Sequence, residues 1–173
     1  MNTSQLTVAL QKNPITSRVF RGVFAADAIP ANLAPFPGAC IVNTQPTGSP
    51  GMHWVAMFQE SEGSIETFDS FGKDLGSYSH FLRDLCARQE RIISQSHQLQ
   101  SDASTVCGQF SMFFLLRRAS NETYQQILHL FTDSLVSNDI LACQYVNFYF
   151  DLHTPILDKT FANQVAKSLK ELN

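Results

Sequence analysis

Residues 106–116 read VCGQFSMFFLL, a run whose apolar side chains cover every face of a helical turn instead of one stripe. A helix of that kind belongs in the middle of a domain with protein on all sides. Phe110, Phe113 and Phe114 are therefore core residues. Upstream, three apolar runs occupy residues 39–43, 53–59 and 64–70, and they are separated by TQPTGSPG and ESEG. Runs of this length punctuated by Gly, Pro and Ser read as antiparallel strands joined by turns.

The period changes after Gly72. Tyr78, Phe81, Leu82 and Leu85 fall at i, i+3, i+4 and i+7, one stripe of an amphipathic helix. Residues 91–99 contain Ile92 and Ile93 and read as a further strand. Beyond the central helix, Tyr124, Ile127, Leu128, Phe131 and Leu135 form a one-sided stripe. Residues 140–150 give another aromatic-rich helix, and a last one carries Phe161, Val165, Leu169 and Leu172 after Pro155. At the front, residues 4–12 read as a short helix capped by Thr3 or Ser4 and stopped by Pro14. Pro30, Pro35 and Pro37 make residues 27–38 an extended surface connection. Strands followed by helices predict an α+β fold, a single domain over residues 1–173.

Composition narrows the function classes. Of 173 residues, 44% are hydrophobic and 16% charged, which suits one domain with a sizeable core. Twelve Lys and Arg against fifteen Asp and Glu give a net charge of -3, so no basic field is available for nucleic acid. Cys40, Cys86, Cys107 and Cys143 are far apart, with no paired Cys or close His, which argues against zinc and against a disulfide framework. The first residues lack a basic segment, and no window is long and apolar enough to span a bilayer. The expectation is a soluble, non-secreted chain with reduced thiols, no metal and no membrane partner.

Chemistry-bearing residues gather at the ends of these elements. His53 opens one strand, Asp69 closes the next, and Cys107 starts the buried helix, with Gln100 seven residues before it. Neighbouring strands would let Asp69 orient the His53 imidazole. A thiol at a helix N-terminus beside an imidazolium has its pKa lowered into the range of about 3.5–7.5. His53 would then protonate a leaving amine. Gln100 and the Cys107 N–H would hold a tetrahedral oxyanion, and Gly108 would keep that pocket uncrowded.

The strings ACIVNT at 39–44, GMHW at 51–54, FDSFG at 68–72 and QSDASTVCGQF at 100–110 resemble, in order and spacing, the signature blocks of the adenovirus-type maturation protease family, adenain. The resemblance extends over about residues 20–150. It implies a small mixed sheet flanked by helices, of the ubiquitin-like-protease class. It also implies a Cys107, His53, Asp69 triad with Gln100 in the oxyanion hole, Trp54 packed beside the histidine, and a substrate channel along Gly51, Trp54 and Gly108. The implied function is a cysteine endopeptidase cleaving viral capsid or core precursors at small residues, in the virion and host cell. A protease acting on the Gly-Gly tails of ubiquitin-like proteins is the related alternative.

The departures from that family are informative. Asp69 stands where adenoviral enzymes usually have Glu. Gln89 stands where a cysteine would anchor an activating peptide, with Cys86 three residues away, so any activating peptide would bind without a disulfide. The negative charge makes a DNA cofactor doubtful. Together with a shorter region after Leu116, these differences resemble the homologues of virophages and Polinton/Maverick-type elements.

Overall fold

Helix α1, Thr3–Lys12, shows how side chains settle an ambiguous boundary in this computed structural model, which describes residues 1–152. Its cap is Asn2, not Thr3 or Ser4. Asn2 Oδ1 accepts from the Gln5 N–H while Gln5 Oε1 accepts from the Asn2 N–H, both at 2.9 Å. Only Asn2 is followed three residues later by a glutamine, and that reciprocal pair decides the start. The helix expected around Phe161, Val165, Leu169 and Leu172 lies outside the described residues.

Five strands follow: β1 Phe20–Ala25, β2 Gly38–Asn43, β3 Trp54–Ser61, β4 Ser64–Phe68 and β5 Arg91–Ile93. They form one sheet in sequence order, with β2, β3 and β4 antiparallel and each outer strand parallel to its neighbour. The sheet is therefore mixed, as expected. Strand β1 was not anticipated from the sequence. Its ladder with β2 shifts register between Phe20 and Gly22, where Gly22 takes φ 147°, so the alternation that marks a strand is broken inside it. Of residues 91–99, only the first three pair. The chain then runs to Leu99 and Gln100, whose N–H groups both reach the Ser70 carbonyl, at 2.8 and 3.0 Å.

Alternation in β2 and β3 sorts the core into two halves. Ala39, Ile41, Ala56 and Phe58 join Leu6, Leu10, Phe110, Phe113 and Phe114 on one face. Cys40, Val42, Val55 and Met57 join Leu75, Leu82 and Leu85 on the other. Both faces are covered, which is why these strands read as continuous apolar runs. Helix α2, His80–Ala87, lies on the second face. Helix α3, Cys107–Ala119, lies on the first and is buried from Gly108 to Leu116.

The stripe from Tyr124 to Leu135 is not one helix. Helix α4 spans Tyr124–Leu128 and α5 spans Leu135–Phe150. Ser134 caps α5, and Asn138 Oδ1 accepts the Thr132 N–H at 2.9 Å, so local polar partners break a stripe that apolar spacing would continue. The irregular connection expected over residues 27–38 ends at Pro37, since Gly38 already pairs in β2, and it is held by Arg21 Nε donating to the Leu33 carbonyl at 3.1 Å. Arg118 does more than close its helix. It is buried and donates to both Glu66 carboxylate oxygens, at 2.6 and 3.0 Å, tying α3 to β4.

Candidate active site

Strand β3 begins one residue after His53, and β4 ends one residue before Asp69. The β3–β4 ladder pairs Ala56 with Phe68, and its continuation sets Phe71 opposite His53. Those two rings lie 4.9 Å apart. Asp69 reaches in from the same turn, and its Oδ1 is 2.6 Å from His53 Nε2, with the two residues 3% and 6% exposed.

The turn after β4 fixes the carboxylate. Oδ1 also accepts from the Phe71 N–H at 2.9 Å, and Oδ2 accepts from the Lys73 N–H at 3.1 Å and the Tyr78 hydroxyl at 2.7 Å. Gly72 closes the turn onto the Asp69 carbonyl at 2.8 Å with φ +66°, and a Cβ there would meet the His97 backbone at 2.6 Å. Only glycine serves at that position. Gln95 Nε2 donates to the Asp69 carbonyl, and the Tyr124 hydroxyl donates to Gln95 Oε1.

With Nε2 on Asp69, the ring nitrogen left for another partner is Nδ1, which is buried and has no hydrogen-bond partner among the described residues. Cys107 is near enough to act on the imidazole through its charge. Burial disfavours the imidazolium. The hydrogen bond to Asp69 and the negative charges of Asp69 and Cys107 outweigh it and push His53 up to about 9. Burial likewise disfavours the Cys107 thiolate, but the adjacent His53 imidazolium, with the Trp54 backbone N–H, brings that thiol below its ordinary value. Asp69 is held low against its own burial by His53 and Tyr78. Cys107 differs here from the other three thiols, since burial pushes Cys40, Cys86 and Cys143 up, Cys143 to about 12.

Cys107 is the first residue of α3, and Val106 caps that helix without a side-chain acceptor. The first-turn N–H groups are thus left uncapped, with the positive end of the helix dipole at the thiol. Gln100 lies on the loop entering α3, 1% exposed. Its Oε1 accepts from Ser70 Oγ at 2.7 Å, which sets the sense of the amide, and Nε2 donates to the Ser104 carbonyl at 2.9 Å. One amide hydrogen is committed to Ser104, and the second is the one free to serve a ligand.

The expected wall residues are arranged differently from the sequence reading. The rings against His53 are those of Phe71 and Tyr78, the latter at 5.5 Å, in place of Trp54. Adjacent residues of an extended chain point to opposite sides. The Trp54 indole instead donates to the Met1 carbonyl at 3.1 Å. A Cβ on Gly108 would meet Met1, Leu6 and Trp54 at 3.4–3.5 Å, so that side of Gly108 looks onto the Trp54 indole and the N-terminal residues. At Gly51 a Cβ would come within 2.7 Å of Asn43 Nδ2, so the loop before His53 is shaped by Asn43.

Sequence reading missed Tyr78 and Ser70 as supports of the site. Tyr78 matched a helical stripe, and its hydroxyl gave no separate signal. Ser70 stands inside the FDSFG string with no local pattern to mark its hydroxyl. Among the described residues, no group of three or more His, Cys, Asp or Glu is arranged to hold a metal, and no helix is long and apolar enough to cross a membrane.

Comparison with known proteins agrees with this architecture. The crystal structure of the African swine fever virus protease superposes with a TM-score of 0.56 at 16% identity, covering 86% of this chain and 66% of that one. The Fowl adenovirus A serotype 1 protease is 32% identical over 111 residues, 56% of this chain and 53% of its own. An Acanthamoeba polyphaga mimivirus protein, named as a candidate thiol protease, is 29% identical over 119 residues, 64% of this chain and 38% of its own. The chain thus spans about a third to a half of the length of the curated relatives it matches. The family model described as adenovirus endoprotease matches residues 20–158, and the chain belongs to that family.

Proposed function

We propose that this chain is a viral cysteine endopeptidase that cleaves capsid or core precursor proteins during particle maturation. The observation that carries the reading is the buried 2.6 Å His53–Asp69 bond with Cys107, alone among the four thiols in being brought down, acting on the same imidazole. In this reading the Cys107 thiolate attacks the scissile carbonyl carbon, and the C=O electron pair moves to oxygen. The second Gln100 amide hydrogen and the Cys107 N–H stabilise that oxyanion. His53 gives its proton to the leaving nitrogen, the C–N bond breaks, and a thioester remains. His53 then takes a proton from water, which attacks the thioester and releases the thiolate.

Substrates with small residues, often Gly, at the scissile bond fit the family resemblance, with Gly51, Trp54 and Gly108 proposed along the channel. An activating peptide, if used, would bind without a disulfide, and Gln89 and the charge of -3 speak against covalent or DNA-dependent activation. The same departures support an origin among virophage or Polinton/Maverick-type elements, with action in the virion and the host cell. The test is mass spectrometry of capsid proteins co-expressed with wild type or Cys107→Ala. New termini that depend on Cys107 support the reading, and identical termini in both samples overturn it.

A second reading rests on the name of an African swine fever virus relative, SUMO-1 cysteine protease, 27% identical over 101 residues. Turnover of fluorogenic ubiquitin or SUMO conjugates, without precursor processing, would favour it.

Tyr78→Phe removes one charged hydrogen bond from Asp69 Oδ2 and leaves the ring in place. A bond of that kind contributes about 1.5–3 kcal/mol to the folded state, so the unfolding temperature is expected to fall by several degrees, and kcat/KM is expected to fall about 10-fold as Asp69 is less firmly aimed at His53.

A further inference from the structure

Asp139, near the start of α5, is a carboxyl with 0% exposure that none of the chemistry above uses. Its Oδ1 accepts from the Ser101 N–H at 3.4 Å, and the Ser101 carbonyl in turn accepts from the Ser104 N–H at 3.0 Å and the Ser104 hydroxyl at 3.1 Å. Its Oδ2 is buried without a hydrogen-bond partner among the described residues. Asn138 beside it donates from Nδ2 to the Leu99 carbonyl at 3.2 Å and to the Thr132 carbonyl at 2.9 Å. Two consecutive α5 side chains therefore grip the loop that carries Gln100. Ser70 grips it as well, through the Leu99 and Gln100 N–H groups and the Gln100 amide oxygen. The Gln100 Nε2 bond then ends on the Ser104 carbonyl, and Ser104 is tied to Ser101, the residue Asp139 holds. A buried carboxyl is costly, and an apolar side chain would fill the same space without that cost.

We propose that Asp139, assisted by Asn138, is a positioning residue for the oxyanion hole, fixing Ser101 and Ser104 so that the Gln100 amide is aimed beside Cys107. The inference rests on the reading of Cys107 and Gln100 given above. Burial pushes the Asp139 carboxyl up to about 7, so its neutral form is well populated near neutrality, and an asparagine imitates that form. The Cys143 thiol, one turn further along α5, is the titratable group that feels its charge.

Two thiol probes separate this role from a structural one. Iodoacetamide alkylates Cys107 by displacement at carbon and forms no oxyanion, whereas p-nitrophenyl acetate acylates it through a tetrahedral oxyanion. Asp139→Ala is expected to lower the acylation rate about 10-fold or more while alkylation stays within about twofold, and Asp139→Asn is expected to restore acylation to within about threefold of wild type. Ser104→Ala, which removes only a hydroxyl from a part-exposed loop, gives the same selective loss at about threefold and serves if Asp139→Ala does not fold. Equal losses with both probes, or no loss in either variant, overturn the inference and leave the cysteine reading intact. Wild-type Cys107 reacting selectively with neither probe would overturn both.

Discussion

Cys107→Ala is expected to lower peptide-bond cleavage by about 10⁴-fold or more, with the unfolding temperature almost unchanged. The size follows from what is lost. No other described group can replace the thiolate: the remaining cysteines are Cys40 and Cys143, which are buried, and Cys86, whose thiol is pushed up by burial and by Asp74. The helix N-terminus and Gln100 remain, so a small residual rate over water persists. Stability is spared because the first residue of α3 contributes little packing compared with Phe110, Phe113 and Phe114 behind it. The measurement is single-turnover cleavage beside thermal unfolding on the same preparation.

Asp69→Ala is expected to be nearly as damaging, about 10³- to 10⁴-fold in kcat. The carboxylate orients the imidazole and supports its charge, and its loss frees His53 Nε2 along with the Phe71 and Lys73 N–H groups and the Tyr78 hydroxyl. The pH dependence has a definite sign. The active pair, thiolate with imidazolium, exists between the lowered pKa of Cys107 and the raised value of His53 at about 9. Activity therefore rises through the first and falls through the second. Without Asp69 the hydrogen bond and charge that raise His53 are gone, and the alkaline limb moves to lower pH.

Stability obeys the same linkage. The raised His53 value contributes stability that is full below about pH 6.5 and lost as pH rises through about 9. The lowered Asp69 value contributes stability present above about pH 3.8 and lost as pH falls through its folded value. Asp69→Ala flattens both arms of the unfolding profile, measurable by thermal denaturation from pH 3 to pH 10.

How much of this was legible beforehand depended on whether a residue's role was carried by spacing or by partners. The buried α3 and the central strands were readable because packing on both sheet faces leaves an uninterrupted apolar run. His53, Asp69, Gln100 and Cys107 were readable because they stand at element ends inside distinctive strings. Strand β1 was hidden by the register shift at Gly22, and the gap between α4 and α5 by Phe131, which continues the stripe while Thr132 and Ser134 end it through hydrogen bonds. The supports Ser70, Tyr78 and Asp139 act through side-chain hydrogen bonds made across 30, 9 and 38 residues of sequence, and no local period reports such contacts. The Trp54 expectation differed because its indole hydrogen is taken by the Met1 carbonyl, 53 residues away.

The state of the Cys107 thiol decides whether this centre is a nucleophile, and peptide mapping after brief iodoacetamide treatment across pH 4 to 10 reads each of the four cysteines separately. Cys107 is expected to react fastest below pH 8, with its rate rising at a pH well below that of an ordinary thiol, and in His53→Ala that rise is expected to move up to about 8.5 or higher. A Cys107 that alkylates no faster than Cys86 near neutrality, or whose profile is the same in His53→Ala, would contradict the account.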